Sequence, residues 1–142
     1  MWRRLWGWLP ALILMGTIFY ISSSPAPEIF RKKYIFSQDK FIHIAVYFAL
    51  AVFFARAFVW DRREMGRKWI LIAIALSALY GISDEFHQSF VPERTSDIFD
   101  WFADLVGASL LFALQKPLLA LLRLEKRLTE LAIPEAADRQ TE

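Results

Sequence analysis

The sequence predicts an all-α, polytopic membrane protein: a four-helix transmembrane bundle with a C-terminal amphipathic helix. Hydrophobic residues make up 56% of the 142 residues, which is above the usual share in a globular protein. They are gathered in four blocks, each close to the roughly 20 residues that span a bilayer. No block alternates apolar and polar residues as a barrel strand does, so helices are the way to pair the backbone in lipid.

The predicted spans cover residues 5–22, 41–60, 69–88 and 98–116, approximately. The linkers between them are short and rich in proline or charge. The first span follows two arginines as a signal peptide does, but prolines crowd the candidate cleavage region, so we expect a retained anchor. The third span is apolar as far as Ile82, and the polar run SDEFHQSF completes its helical length.

The segment after Pro117 has leucines near one helical face, at Leu118, Leu121, Leu122, Leu128 and Leu131. This pattern predicts either an amphipathic helix over about 118–132 that lies on the membrane surface or a short extension of the fourth span. Residues 134–142 are typical of a flexible tail. The predicted organisation is one transmembrane domain over residues 1–133 and a flexible cytoplasmic tail.

Lysine and arginine are unevenly distributed between the two membrane sides. If the N-terminus lies inside, the inside segments carry about twice as many basic residues as the outside ones, so both termini are predicted to be cytoplasmic. The basic run at 31–33 opposes this assignment. Arg56, in the inner part of the second span, is close enough to extend its side chain to the inner surface. This bias is typical of a multi-pass protein of the cell membrane, and it fits a bacterial inner membrane.

The composition excludes several function classes. The chain has no cysteine, which excludes disulfides, thiol catalysis and thiolate metal sites. The net charge of +2 is too small to indicate nucleic acid as a partner. The expected partner is the lipid bilayer, and the sequence leaves the oligomeric state open.

Polar residues within the spans gather at three helix ends. A charge in hydrocarbon costs several kcal/mol unless it is paired or hydrated, so such residues indicate a site or a helix contact. Their spacing places several of them on shared helical faces. The second span carries Asp39, Lys40, His43 and Tyr47; the third carries Asp84, Glu85, His87 and Gln88; the loop and the fourth span carry Arg94, Asp100 and Asp104.

The three helix ends lie at the same membrane surface, which is the outer one in the predicted topology. We therefore predict that the polar stripes meet in one pocket that opens outward. Asp104 lies about 9 Å below the start of its span, where an isolated carboxylate would need a partner. An ion-pair network that only holds helices together is the alternative.

Three further features have a structural interpretation. Asp97 is expected to cap the fourth helix, because a carboxylate accepts hydrogen bonds from the free amides of a helix start. Ser77 with Gly81, and Ala103 with Gly107, form small-x-x-x-small pairs. Such pairs predict close contacts between helices.

The polar residues fall in two runs that resemble the signatures of VanZ-like membrane proteins. DKFIHIAVYFALA, at 39–51, resembles the pattern D-K-x-x-H-x-x-x-Y-x-x-L-A. SDEFHQSFVPERTSDIFDWFADLVGA, at 83–108, resembles S-D-E-x-H-Q-x-F-x-P-x-R followed by spaced aspartates and a glycine. Glu93 stands where the family commonly has glycine, which predicts a less sharply turned loop. Asp104 stands where the family often has asparagine.

The resemblance implies a small polytopic protein of the bacterial cell envelope. The family is named after an accessory protein of teicoplanin resistance, so antibiotic resistance is one role that the resemblance suggests. It does not imply an established reaction, and the catalytic residues are therefore unassigned.

A non-enzymatic binding protein is the first functional hypothesis. Its outward pocket would bind a lipid-linked envelope precursor or a lipoglycopeptide antibiotic. Lys40 and Arg94 would hold phosphate or carboxylate groups through charge-assisted hydrogen bonds. No metal or other cofactor is predicted under this hypothesis.

An enzyme and a transporter are the alternatives. In an enzyme that acts on a lipid-linked substrate, His43 or His87 would be the general acid or base. Asp84, Glu85 and Asp100 would then be oxygen ligands of a divalent cation, although no fixed metal motif is present. In a small proton-coupled transporter, the aspartates and histidines would relay protons.

Overall fold

The computed structural model of the chain describes residues 2–24, 36–61, 65–94 and 96–132. These residues form four helices: α1 (Trp2–Ser22), α2 (Phe36–Asp61), α3 (Arg67–Gln88) and α4 (Ile98–Ala132). Each helix is long and apolar enough to cross a membrane, and the described residues contain no strand. The predicted all-α fold of a polytopic membrane protein is therefore confirmed. The predicted tail at 134–142 lies outside the described residues.

α2 is the central helix of the bundle and packs against each of the other three. Its inward face is fully buried at Leu50, Ala51 and Ala55. Ile70 of α3 and Leu111 of α4 belong to the same core. Large apolar side chains also cover the outside of the bundle, among them Leu12, Ile13, Leu71, Leu79, Phe102 and Val106. Apolar residues on both the inside and the outside are what a helix bundle in lipid requires.

Glycines bring α4 close to its neighbours at two places. A Cβ on Gly107 would lie 2.3 Å from the carbonyl oxygen of Ile44, so this glycine allows α4 to contact the backbone of α2. A Cβ on Gly81 would lie 2.6 Å from Oδ2 of Asp104, so this glycine makes room for a carboxylate between α3 and α4. The predicted helix contacts of these two glycines are confirmed.

α4 continues through Pro117 as one helix of 35 residues. At 1.5 Å per residue it is about 52 Å long, well beyond the roughly 30 Å of a hydrocarbon core. Of the two predictions for the segment after Pro117, the structure agrees with an extension of the fourth span. A proline removes one backbone hydrogen bond, and contacts with α2 hold the extension in line: Leu119 and Leu122 are buried, and Lys126 donates to the carbonyl of Val59 at 2.9 Å.

Arg56 joins three helices instead of extending to the membrane surface. Its side chain is buried, and its Nη2 lies 2.6 Å from Oε1 of Glu125 on α4. Its Nη1 donates to the carbonyls of Trp6 at 2.8 Å and Gly7 at 3.0 Å on α1. The carbonyl of Trp6 lacks its usual helical donor, because Pro10 stands four residues later and has no N–H. Arg56 supplies the missing donor, which explains why this charge lies within the bundle.

The loop between α3 and α4 turns sharply at Glu93. Its φ of 64° lies in the left-handed region that favours glycine. The amide of Arg94 donates to the carbonyl of Val91 at 3.2 Å and closes the turn. The expectation of a less sharply turned loop is wrong, because the glutamate adopts the conformation that a glycine would have.

Candidate functional site

The end of α1, the start of α2, the end of α3 and the start of α4 meet at one end of the bundle, as the hydrogen bonds between them show. We call this region the acidic end, after six carboxylates among the described helix ends: Asp39, Asp84, Glu85, Asp97, Asp100 and Asp104. Four of these are at most 8% exposed, namely Asp84, Glu85, Asp100 and Asp104. Lys40 and His43 of α2 lie among them, so parts of all three polar stripes lie together at this end of the bundle.

Lys40 connects the start of α2 to the start of α4. Its ammonium group bonds Oδ1 of Asp100 and, at 3.2 Å, Oδ2 of Asp97. Asp97 Oδ1 accepts from the amide of Phe99 at 2.9 Å, which is the helix cap predicted for this residue. The Phe99 amide and the Lys40 ammonium lower the pKa of the Asp97 carboxyl, because both stabilise its charged form.

His43 and Asp104 form a second connection between α2 and α4, deeper in the bundle. Nδ1 of His43 lies 2.8 Å from Oδ1 of Asp104, whose side chain is almost fully buried. A carboxylate only accepts, so in this pair Nδ1 carries the proton, and Nε2 has a lone pair whenever the imidazole is neutral. The His43 ring is parallel to that of Tyr47, with centroids 6.3 Å apart. This packing fixes the orientation of the imidazole.

Among the described residues, Asp84 and Glu85, at the end of α3, each accept hydrogen bonds with a single oxygen. Oδ2 of Asp84 accepts from the Tyr47 hydroxyl and from Nε2 of Gln88, both at 3.2 Å. Oε2 of Glu85 accepts from the Ser96 hydroxyl at 3.1 Å and from the amide of Asp97 at 2.9 Å, and so connects α3 to the start of α4. Oε1 of Glu85 is buried without a hydrogen-bond partner among the described residues.

Two predicted site residues, His87 and Arg94, face α1 instead of this cluster. Nε2 of His87 is hydrogen-bonded to the Ser23 hydroxyl at 3.0 Å. Arg94 donates from Nε to the carbonyl of Ser24 at 2.9 Å and from Nη2 to that of Ile21 at 2.8 Å. The sequence could not indicate the contact of Arg94 with α1. The last carbonyls of a helix need donors, but no sequence pattern shows which nearby arginine supplies them. Arg94 therefore caps the end of α1.

The polar groups of the acidic end are packed against one another. Two clefts are present beside α1, one lined by residues such as Leu9 and Phe53 and the other by residues such as Leu12 and Leu76. Neither cleft includes a residue of the acidic end.

Ser96 is a residue of the acidic end that the sequence analysis did not single out. Its hydroxyl donates a hydrogen bond to Glu85, and a serine just before a helix is typical of a capping position.

One group of side chains in the described part of the chain has the donor atoms for a metal ion. Asp39, His43 and Asp100 each offer a ligand atom, and these atoms lie within 4.8 Å of one another. The set combines an imidazole nitrogen with carboxylate oxygens, which suits first-row divalent metals. Of the three cation ligands considered from the sequence, it shares only Asp100.

Comparison with known proteins identifies the family. The family model described as VanZ/LLP1 matches residues 6–122, which include both polar runs and parts of all four helices. The chain belongs to the VanZ/LLP1 family. This family membership and the four helices that can span a membrane make it a multi-pass membrane protein.

A curated relative of this VanZ/LLP1 protein occurs in a yeast. An uncharacterized protein of Schizosaccharomyces pombe is 38% identical over 73 residues. The match covers 51% of this chain and 43% of the relative, so the chain spans less than half the length of that protein. No solved structure matches the chain.

Proposed function

We propose that this VanZ/LLP1 protein binds the polar head group of a lipid-linked ligand at the acidic end. The observation that carries the proposal is unused hydrogen-bonding capacity. Oε1 of Glu85 and Oδ2 of Asp104 are buried without a partner among the described residues. A buried acceptor without a donor costs about 1–3 kcal/mol, and more when it is charged. A network that served only to hold helices together would have little reason to keep that cost.

The charges of the site favour a ligand that donates hydrogen bonds. Lys40 is bonded to Asp97 and Asp100, and Arg94 is bonded to two carbonyls. The original hypothesis gave these two cations to a phosphate or carboxylate of the ligand, but both already have partners within the protein. Hydroxyl and amine groups, as on a sugar or peptide head group, suit the available acceptors better.

A lipid-linked precursor fits this site better than a lipoglycopeptide antibiotic. Both are amphiphiles whose polar part would lie at the level of the helix ends. A relative in a yeast favours a lipid-linked ligand, because eukaryotic membranes also contain such molecules. Teicoplanin-type resistance would then be a secondary effect of binding an envelope precursor.

The same proposal includes an orientation. In a bacterial inner membrane with both termini in the cytoplasm, the acidic end faces outward, where envelope precursors are consumed. Reporter fusions after Glu142 should report a cytoplasmic location, and a reporter inserted at Glu93 should report the outer side. An outside signal from the C-terminal fusion would overturn this orientation.

Binding to the protein in lipid nanodiscs tests the proposed ligand class. The probes are a polyprenyl-pyrophosphate-linked disaccharide, teicoplanin and phosphatidylglycerol. We expect the wild type to bind the linked disaccharide, Glu85→Gln to bind it at least tenfold more weakly, and the control Glu130→Gln, at the opposite end of α4, to bind like the wild type. Binding of teicoplanin alone would overturn the lipid-linked assignment, and equal binding by wild type and Glu85→Gln would overturn the site.

The His43–Asp104 pair favours an enzyme as the second candidate. A carboxylate that holds Nδ1–H of an imidazole leaves Nε2 able to accept a proton from a hydroxyl or water. In such an enzyme His43 would be the general base toward the lipid-linked substrate. Release of the head group by the wild type but not by His43→Gln would support the enzyme hypothesis, and a substrate left unchanged by the wild type would exclude it.

The transporter hypothesis gains no support from the structure. Apolar residues such as Leu50 and Phe54 fill the core between the acidic end and Arg56, which leaves no polar path for protons through the described residues.

A further inference from the structure

We propose that Asp39, His43 and Asp100 bind one Zn²⁺ ion at the acidic end. Asp39 and His43 stand four residues apart on α2 and so share a face of that helix, and α4 supplies Asp100 opposite them. Their ligand atoms lie within 4.8 Å of one another. Bonds of about 2.0–2.2 Å around a tetrahedral Zn²⁺ place its ligands roughly 3.3 Å apart, so small side-chain rotations complete the site.

The orientation of His43 is an independent sign of metal binding. A histidine that binds a metal almost always donates its other ring N–H to a carboxylate or carbonyl group. Asp104 is in that position, 2.8 Å from Nδ1 of His43. This contact leaves Nε2 as the ligand atom. Asp104 is therefore a positioning residue for the ion.

Buried carboxylates beside these three ligands also favour a cation at the acidic end, although their own oxygens are not ligands of it. Oδ2 of Asp104 and Oε1 of Glu85 are both buried without a hydrogen-bond partner in the described part of the chain. Lys40 bonds Oδ1 of Asp100, which leaves Oδ2 of Asp100 for the ion. A dication here offsets part of the negative charge of the buried carboxylates Asp84, Glu85, Asp100 and Asp104.

Three protein ligands leave the fourth position of a tetrahedral ion open. Structural zinc sites are usually closed by four protein ligands, whereas sites that bind an exchangeable ligand keep one position open. That position takes water or an anionic oxygen, such as a phosphate oxygen of a lipid. The ion would thus provide the anion-binding role that Lys40 and Arg94, already bonded within the protein, do not provide.

Zinc binding to the full-length protein in detergent tests the inference. The protein is stripped with a chelator, dialysed against Zn²⁺ and analysed for metal. We expect about one Zn²⁺ per chain in the wild type and in the control Glu130→Gln. Asp39→Asn and His43→Gln should each weaken binding at least tenfold. Asp39 takes part in no hydrogen bond or ion pair with the described residues, so its variant is expected to keep the fold, which circular dichroism and melting temperature check.

Variants of Asp104 separate positioning from general damage. Asp104→Asn keeps an oxygen that accepts from Nδ1–H and should bind zinc almost as the wild type does, whereas Asp104→Ala should bind about tenfold more weakly or worse. Absence of bound zinc would overturn the site. Zinc binding that Asp39→Asn and His43→Gln leave unchanged would also overturn it, because the bound metal would then be an adventitious ion only. The test needs no lipid, so its failure is distinguishable from a failure of the proposed head-group binding.

Discussion

Glu93 occupies a backbone conformation that a glycine would occupy at lower cost. Its φ of 64° is in the left-handed region, which costs a residue with a Cβ roughly 1–2 kcal/mol. A glycine avoids this cost but loses more conformational entropy on folding, by about 0.4–1 kcal/mol. The difference between these two terms sets the expected effect of a substitution at this position.

We predict that Glu93→Gly is more stable than Glu93→Ala by about 0.5 kcal/mol, and that Glu93→Val is less stable than Glu93→Ala by about 1 kcal/mol, because a β-branched side chain fits the left-handed region worst. Melting temperatures of the three variants in detergent check this prediction, since all three lack the glutamate side chain. A lower melting temperature for Glu93→Gly than for Glu93→Ala would contradict it.

Arg94 is a cap in this structure, so its alanine variant is expected to lose stability. A residue that only holds a ligand can be replaced with little loss of stability, whereas Arg94 donates to the carbonyls of Ser24 and Ile21. We predict that Arg94→Ala lowers the free energy of unfolding by about 1–2 kcal/mol, because hydrogen bonds from charged groups contribute about 1.5–3 kcal/mol and these two are exposed to solvent. Chemical denaturation measures it, with the exposed Lys116→Gln as the control, and an unchanged midpoint for Arg94→Ala would contradict the capping role.

At the scale of helices, the contact of α4 with α2 depends on Gly107. A Cβ there would lie 2.3 Å from the carbonyl oxygen of Ile44 and 2.8 Å from its Cα. These are backbone atoms, so the helices themselves must separate. Because Lys40 and His43 reach Asp100 and Asp104 across this same contact, the site depends on it as well.

Gly107→Ala is therefore predicted to destabilise the bundle by about 1–3 kcal/mol, the usual cost of overpacking, and to impair the acidic end. The matched control is Gly16→Ala in α1, where an added Cβ meets nothing within 4 Å. That variant should be neutral or slightly stabilising, because alanine favours helices more than glycine does. Equal melting temperatures for the two variants would refute the close contact.

Arg56 and Pro10 form a connection between helices at the other end of the bundle. We predict that Arg56→Met destabilises the protein by about 3 kcal/mol, because it leaves the Trp6 carbonyl and Glu125 without their partner. Pro10→Ala restores a backbone donor to the Trp6 carbonyl, so the same change should cost less in a Pro10→Ala background. A double-mutant cycle measured by thermal unfolding checks the coupling, and strictly additive effects would contradict it.

At the scale of the whole molecule, the sequence predicts the helices and the meeting of their polar ends, because both depend on local patterns. Apolar blocks define the spans, the spacing places Lys40 with His43 and Asp100 with Asp104 on one face of their own helix, and the predicted topology brings both helix ends to the same membrane side. The partners of His87 and Arg94 could not be predicted, because they lie at the end of α1, whose free carbonyls have no signature in sequence. The continuation of α4 through Pro117 could not be predicted either, because packing decides whether a proline ends a helix.

Pairing within the protein likewise decides what the site can bind. Sequence reasoning counts Lys40 as a donor for a ligand, and the structure has it bonded to Asp97 and Asp100. The available groups are acceptors, which no spacing rule indicates. The central claim is therefore that the acidic end is a binding site and not only a connection between helices.

The most direct test of that claim is the thermal shift caused by the polyprenyl-pyrophosphate-linked disaccharide in the wild type and in Glu85→Gln. A ligand that binds only the folded state stabilises it by about 2.7 kcal/mol at 100 times its Kd. We predict a rise of several degrees for the wild type and almost none for Glu85→Gln, whose melting temperature without ligand should equal or exceed that of the wild type. Equal shifts in both proteins, or a Glu85→Gln variant that melts well below the wild type without ligand, would contradict the account.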